Sequence, residues 1–212
     1  MILIGHYDSP FVRRVAVALR LYGFDYEHRA WSVFGDADKI AAVSPLRRVP
    51  ILITDDGEAL SDSAAILDWL DDLAGPDKAL IARSGLPRRH ALKTCALASG
   101  LAEKAVSLVY EQAIHERGTP MWVARCRAQI AGVLDALEAD CAARPGPWWF
   151  GDRPGHADIV VGCALRFVTE AHPDVVQLDA WPALAAHAAR CEALPDFQAV
   201  SRPFSVTLPA KT

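Results

Sequence analysis

The chain of 212 residues has no cysteine before position 95. The five that follow, Cys95, Cys126, Cys141, Cys163 and Cys191, are odd in number, and no two stand at CxxC or metal-ligand spacing. A disulfide framework and a metal site are therefore not expected. No apolar run approaches the length of a bilayer span, and Met1-Ile2-Leu3-Ile4-Gly5-His6 lacks the basic start and long apolar stretch of an export signal. No membrane partner is expected, and a reducing cytoplasm is the default location. Positive charge is not in excess either: 22 Lys and Arg stand against 26 Asp and Glu, a net charge of −4, so nucleic acid is not an expected partner. Internal repeats and low-complexity segments are also missing. With 52% hydrophobic and 23% charged residues, bulk disorder is excluded, and the length suits one large domain or two small ones.

Two periodicities divide the chain. Ile2-Leu3-Ile4 reads as a short buried strand ending in the turn-like Gly5-His6-Tyr7-Asp8. Ser9 is a good N-cap, Pro10 suits the first helical position, and Val12, Val15, Ala16 and Leu19 form an apolar helix face that closes at Gly23. Phe24 to Trp31 alternates as a second strand, which so short a strand-helix-strand unit makes parallel to the first. A helix follows from about Asp36 to Val43. Val49 to Thr54 and Glu58 to Leu60 flank Asp55-Asp56-Gly57, a hairpin signal, and a third helix runs from Ser61-Asp62-Ser63 to Gly75-Pro76. The order is βαβαββα.

Beyond Gly75-Pro76 the strands stop. Leu92, Ala96, Leu97, Leu101, Ala105 and Leu108 recur at helical spacing between about Pro87 and Glu116, as do Cys126, Ile130, Val133, Leu134, Leu137 and Cys141 between about Pro120 and Ala143. A Pro- and Gly-rich loop from Arg144 to Gly155 carries Trp148, Trp149 and Phe150, which read as a core anchor. A helix with Ile159, Val160, Cys163, Ala164 and Phe167 follows. Shorter helices around Trp181 to Leu194 complete a bundle, and the last ten or so residues read as a tail. The fold class is α/β plus all-α.

Three places could carry chemistry. Ser9 by itself is a helix cap, but it also stands at the C-terminal edge of the first strand and at the positive end of a helix, where open sheets bind ligands and anions are stabilised. No local motif pairs it with a base, so it is not an evident nucleophile; its hydroxyl could donate to a bound thiol and favour the thiolate. Val49-Pro50 begins a strand. A cis bond there would turn the Val49 main chain towards an extended peptide-like ligand, although the isomer is not set by sequence. Asp62 and Ser63 are explained as a cap, or as a pair that receives the ammonium and carboxylate of an amino-acid head group.

Ser9-Pro10-Phe11 after the first strand, Ser44-Pro45-Leu46-Arg47-Arg48-Val49-Pro50 before the third, Asp62-Ser63-Ala64-Ala65-Ile66-Leu67, and the all-helical second half together resemble the cytosolic glutathione S-transferases with a serine at the catalytic position. The match covers roughly residues 1 to 200. It implies a thioredoxin-like glutathione-binding domain over 1–76, with Val49-Pro50 cis, and an all-helical domain over 86–204 forming the second-substrate pocket. By the same resemblance Ser9 hydrogen-bonds the glutathione sulfur, the Val49 main chain pairs with the cysteinyl unit, Asp62 and Ser63 hold the γ-glutamyl end, and Arg48 binds the glycyl carboxylate.

The activity so implied is conjugation of glutathione to a small hydrophobic electrophile, a detoxification reaction carried out by a cytoplasmic homodimer without a metal. A glutathione-dependent isomerase, dehalogenase or peroxidase, or a transferase-like binding protein without turnover, are the alternatives. The isomerase pattern of two serines and a cysteine before the first helix is absent. Asp62 replaces the family's more usual Glu, and Gly155 in Gly155-His156-Ala157-Asp158 stands where Ser or Thr is usual. Tyr7 is the alternative activating hydroxyl. Tyr110, Glu111 and Trp122 fall where the family flanks its second-substrate pocket, though packing explains each equally well. His6, His115 and His156 show no metal spacing.

Overall fold

The computed structural model describes residues 1–114 and 118–206. Its elements are β1 (Ile2–Ile4), α1 (Pro10–Tyr22), β2 (Glu27–Arg29), α2 (Ala37–Val43), β3 (Ile51–Ile53), β4 (Ala59–Ser61), α3 (Ser63–Ala74), α4 (Gly85–Ile114), α5 (Pro120–Ala143), α6 (His156–Ala171), a 3₁₀ turn (Leu178–Ala180), α7 (Pro182–Glu192) and α8 (Pro195–Ala199). The expected βαβαββα order is present. The last residues expected of α4, His115 and Glu116, and most of the expected tail lie outside the described residues.

The sheet order is β2-β1-β3-β4, with β2 parallel to β1 and the other two pairs antiparallel, the mixed sheet of a thioredoxin-like domain. Because side chains alternate across a sheet, Ile4 and Ile51 face one side, where Ile40 of α2 completes a fully buried cluster with Trp31, Val33 and Val43 around it. Leu3 and Leu52, partners in the register, face the other side and are also fully buried. Helices α1 and α3 pack against each other, with Val12, Val15, Ala16, Leu19, Ile66 and Leu70 removed from solvent.

The chain divides into two compact units: Met1–Ala79 together with the segment from Asp196, and Leu80–Pro195. This corrects the expected end of the helical domain at 204. Residues 196–204 go with the first unit because α8 is fastened to α1. The buried Arg13 guanidinium donates to the Phe197 carbonyl at 3.0 Å and the Val200 carbonyl at 3.2 Å and lies 5.3 Å from the centre of the Phe197 ring. These carbonyls sit at the C-terminal end of α8, where a cation is favoured.

In the second unit α6 is buried on nearly every side and packs against α4 and α7. The face of α4 that turns inward is not the expected one over its first turns. Ala91, Thr94 and Ala98 are buried while Leu92 is 47% exposed and Ala96 is exposed. The inward face there is made of small side chains. Trp148 and Trp149 are buried as a core anchor should be, but Phe150 is exposed.

Asp158 organises the start of α6. Its carboxylate accepts from the Gly155 N–H and the Trp149 N–H, both at 2.9 Å. Gly155 is needed for space: a Cβ there would stand 2.6 Å from the Leu80 carbonyl oxygen, which also accepts from the His156 N–H. Beside Asp158 the fully buried His187 accepts from Arg144 at Nδ1 and lies 3.4 Å from the Cys191 sulfur. Burial, helped by Arg144, pushes the His187 pKa down to about 3, so its 3.9 Å approach to the Asp158 carboxylate is not an ion pair at neutral pH. Burial moves the Asp158 carboxyl the opposite way, above the usual carboxylate range.

Two outcomes follow for stability. Gly155→Ser, which supplies a better cap, is expected to lower stability by about 1–3 kcal/mol because the added atom meets a carbonyl; urea unfolding measures this, and a gain would overturn the steric account. His187 is neutral when folded and takes a proton near pH 6.5 when unfolded, so its contribution is lost as pH falls from about 6.5 towards 3. Between pH 7 and 5 this amounts to about 2 kcal/mol. Protonation of Asp158 acts in the other direction in acid, so the comparison is with His187→Gln, whose loss between those two pH values should be smaller by that amount.

Candidate active site

The register brings the expected residues to one edge of the sheet. Ile4 at the end of β1 pairs with Ile51 at the start of β3, and Ile51 pairs with Ser61 at the end of β4. The turn leading to Ser9, the Val49-Pro50 pair and the Asp62-Ser63 pair all emerge there. Gly5 permits the crowding: it has φ +126°, and a Cβ would stand 2.5 Å from Val12 Cγ2 and 2.8 Å from Val49 Cβ. Only glycine accommodates both that backbone angle and that approach.

Ser9 is the N-cap of α1, and its hydroxyl oxygen accepts from the Val12 N–H at a long 3.4 Å. The hydroxyl proton is not used in that bond, so the cap can also donate. Tyr7 differs. Its phenol is 3.0 Å from the Tyr26 hydroxyl, its ring stacks on His28 at 3.9 Å, and burial together with the Tyr26 bond pushes its pKa well above the usual tyrosine value.

The Val49-Pro50 bond is cis. None of the described main-chain hydrogen bonds uses the Val49 N–H or carbonyl. Arg48, one residue earlier, is exposed. Asp62 caps α3, accepting from the Ala64 N–H at 2.7 Å, and has φ 72° and ψ 118°, a backbone state that costs on the order of 1–3 kcal/mol outside glycine. Such strain persists where surrounding structure enforces it, as at ligand clamps.

Ser63 is buried and is already partnered. Arg14 Nε donates to its oxygen at 2.9 Å and Arg14 Nη2 at 2.5 Å. Since Ser63 accepts these bonds, its own proton remains for an acceptor on the other side, and the buried cation behind it favours an anion there. Arg14 was not among the residues picked from the sequence. A signal existed: Arg13-Arg14 interrupts Val12 and Val15 in a helix whose residues 12 to 19 are all buried, and a buried arginine implies a specific partner.

Of the helical-unit candidates, buried Glu111 accepts from the Thr119 N–H just ahead of α5, which is a packing role. Trp122 lies 5.4 Å from the Lys104 ammonium, and Tyr110 is exposed. Among the described residues no group of His, Cys, Asp and Glu could hold a metal ion, and no helix is long and apolar enough to cross a membrane.

Comparison with known proteins joins these features to a family. The family model for the glutathione S-transferase N-terminal domain matches residues 3–78, and that for the C-terminal domain matches residues 120–190. A maleylacetoacetate isomerase of Pseudomonas aeruginosa is 30% identical over 208 residues, covering 93% of this chain and 94% of its own. A glutathione S-transferase of Methylobacterium radiotolerans, solved with glutathione sulfonate, superposes with a TM-score of 0.90 at 27% identity, covering 100% of this chain and 98% of its own. A glutathione transferase family member of Pseudomonas fluorescens with bound glutathione gives 0.84 at 30% identity, covering 96% and 99%. With both halves matched in order and a full-length relative at 30% identity, the chain belongs to the glutathione S-transferase family.

Proposed function

We propose that this protein binds glutathione at the sheet edge and transfers its sulfur to a small hydrophobic electrophile. The observation that carries this reading is the contrast between two hydroxyls. Ser9 has a proton to donate at the positive end of α1, whereas Tyr7 is bound to Tyr26 and resists ionisation. Solved relatives with glutathione or its sulfonate support the choice of ligand.

In this reading the Ser9 O–H donates to the sulfur, and the N-terminus of α1 stabilises its negative charge. The thiolate attacks the electrophilic carbon, the new C–S bond forms, and the leaving group departs with its electron pair. The Val49 N–H and carbonyl pair with the cysteinyl unit. Asp62 takes the ammonium of the γ-glutamyl end, while Ser63, with Arg14 behind it, donates to the carboxylate. Arg48 serves the glycyl carboxylate across solvent and contributes less than the others. Alignment of two substrates is the larger share of the acceleration, since it can supply several kcal/mol.

A glutathione-dependent isomerase is the second reading, and the full-length resemblance to the maleylacetoacetate isomerase supports it. Both readings use the same thiolate. They differ in whether the adduct is released as a conjugate or expels the sulfur again after rearranging. The protein is proposed to act in the cytoplasm, in detoxification, as a homodimer.

The reading is tested with saturating glutathione, following thiolate absorbance, and then with a panel of halogenated, epoxide and maleyl substrates. Ser9→Ala is expected to lower turnover about 10- to 100-fold, the range of a hydrogen bond to a charged group, and to reduce the thiolate signal at neutral pH. Tyr7→Phe should change neither. No glutathione binding at millimolar concentration would sink the proposal. Cis-trans conversion of maleyl compounds without a conjugate would select the isomerase.

A further inference from the structure

We propose that Arg202 is a positioning residue for the thiolate site, carried there by the C-terminal segment to neutralise Asp8, the residue directly before Ser9. This rests on the glutathione-thiolate reading and goes beyond it. Asp8 lies in the turn between β1 and α1, which is closed by the Ser9 N–H donating to the His6 carbonyl at 3.1 Å. Its side chain is only 10% exposed. Consecutive Cα atoms are about 3.8 Å apart, so the shielded Asp8 carboxylate belongs to the residue adjoining the place where a second negative charge must be stabilised. Left alone it would oppose the thiolate, as a like charge does.

Arg202 answers it. Its Nε stands 3.9 Å from Asp8 Oδ2, and among the described residues it is the ion-pair partner of Asp8. The segment bearing it is held in place, because Arg13 of α1 binds the Phe197 and Val200 carbonyls and Phe197 is fully buried. With Arg202 38% exposed and the groups 3.9 Å apart, the pair would do little for stability. Beside an anion-binding cap the same pair acts on the charge of the ligand. The other charged groups at this end of the unit are otherwise engaged or exposed: Arg14 on Ser63, Asp62 on the Ala64 N–H, His6 Nε2 on the Ala30 carbonyl, with Arg47 and Arg48 exposed.

The test measures thiolate absorbance of bound glutathione against pH in the full-length protein and in Arg202→Gln, Arg202→Lys and Arg202→Gln/Asp8→Asn. Arg202→Gln should move the titration midpoint of the bound thiol up by about half a unit to one unit. Arg202→Lys should keep the midpoint of the parent, and the double variant should return to it. An unmoved midpoint in Arg202→Gln overturns the proposal. So does a raised midpoint that the double variant fails to restore, since the C-terminal segment would then act by contact and not by charge. A parent protein without a Ser9-dependent thiolate signal removes the underlying reading as well; a Ser9-dependent signal indifferent to Arg202 removes this inference alone.

Discussion

The hydrogen bonds from Arg14 to Ser63 are the constraint on which the site depends. They fasten the first helix of the chain to the third near their N-terminal ends, so that the positive ends of both helices open onto the same sheet edge. A buried guanidinium tolerates few alternatives. Its two bonds to a buried hydroxyl fix the distance between the helices, which makes the spacing between the Ser9 cap and the Asp62 cap hard to vary. Tyr22 on Asp71 makes a second tie between the same helices, one face further along. The strained backbone of Asp62 is tolerable because both of its neighbours are fixed, Ser61 in β4 and Ser63 on Arg14.

Much of this was legible in the residues. The cap at Ser9-Pro10, the Asp-Gly turn and the change from sheet to helix after Gly75 are local signals, and local chemistry decides them. What could not be read was set by distant parts of the chain. The inward face of α4 is set by the helices packed on it, so Ala91 and Thr94 are buried there while Leu92, which helical spacing places on the apolar face, is exposed. Gly155 looked like a weak replacement for a capping hydroxyl, yet the Leu80 carbonyl, 75 residues earlier, allows nothing larger. Arg13 and Arg14 carry no local signal of what they bind, because their partners, the carbonyls of α8 and the hydroxyl of Ser63, lie 49 to 187 residues away.

The two units solve the same problem with opposite charges. In the first, a buried cation steadies helix starts built around hydroxyl and carboxylate caps. In the second, the Asp158 carboxylate collects main-chain N–H groups from its own helix and from the tryptophan loop, and the neutral His187 fills the space beside it. The first arrangement leaves donors facing outward and is suited to anions. The second is closed upon itself, and its thiol, Cys191, is kept protonated by burial and by neighbouring carboxylates. The sulfur of the proposed reaction is accordingly one brought from outside, to the end of the chain that has no cysteine.

The grip of Arg13 on α8 also has a consequence for how the molecule is made. The first unit is discontinuous in sequence: all of Leu80–Pro195 separates its sheet from the segment that closes it. During synthesis the sheet and its helices are complete long before that segment exists, and Arg13 must wait, its carbonyl partners unmade, until the helical unit has been translated. Closing so long a loop carries an entropic cost that grows only slowly with length, but it is met late, after the rest of the first unit is in place.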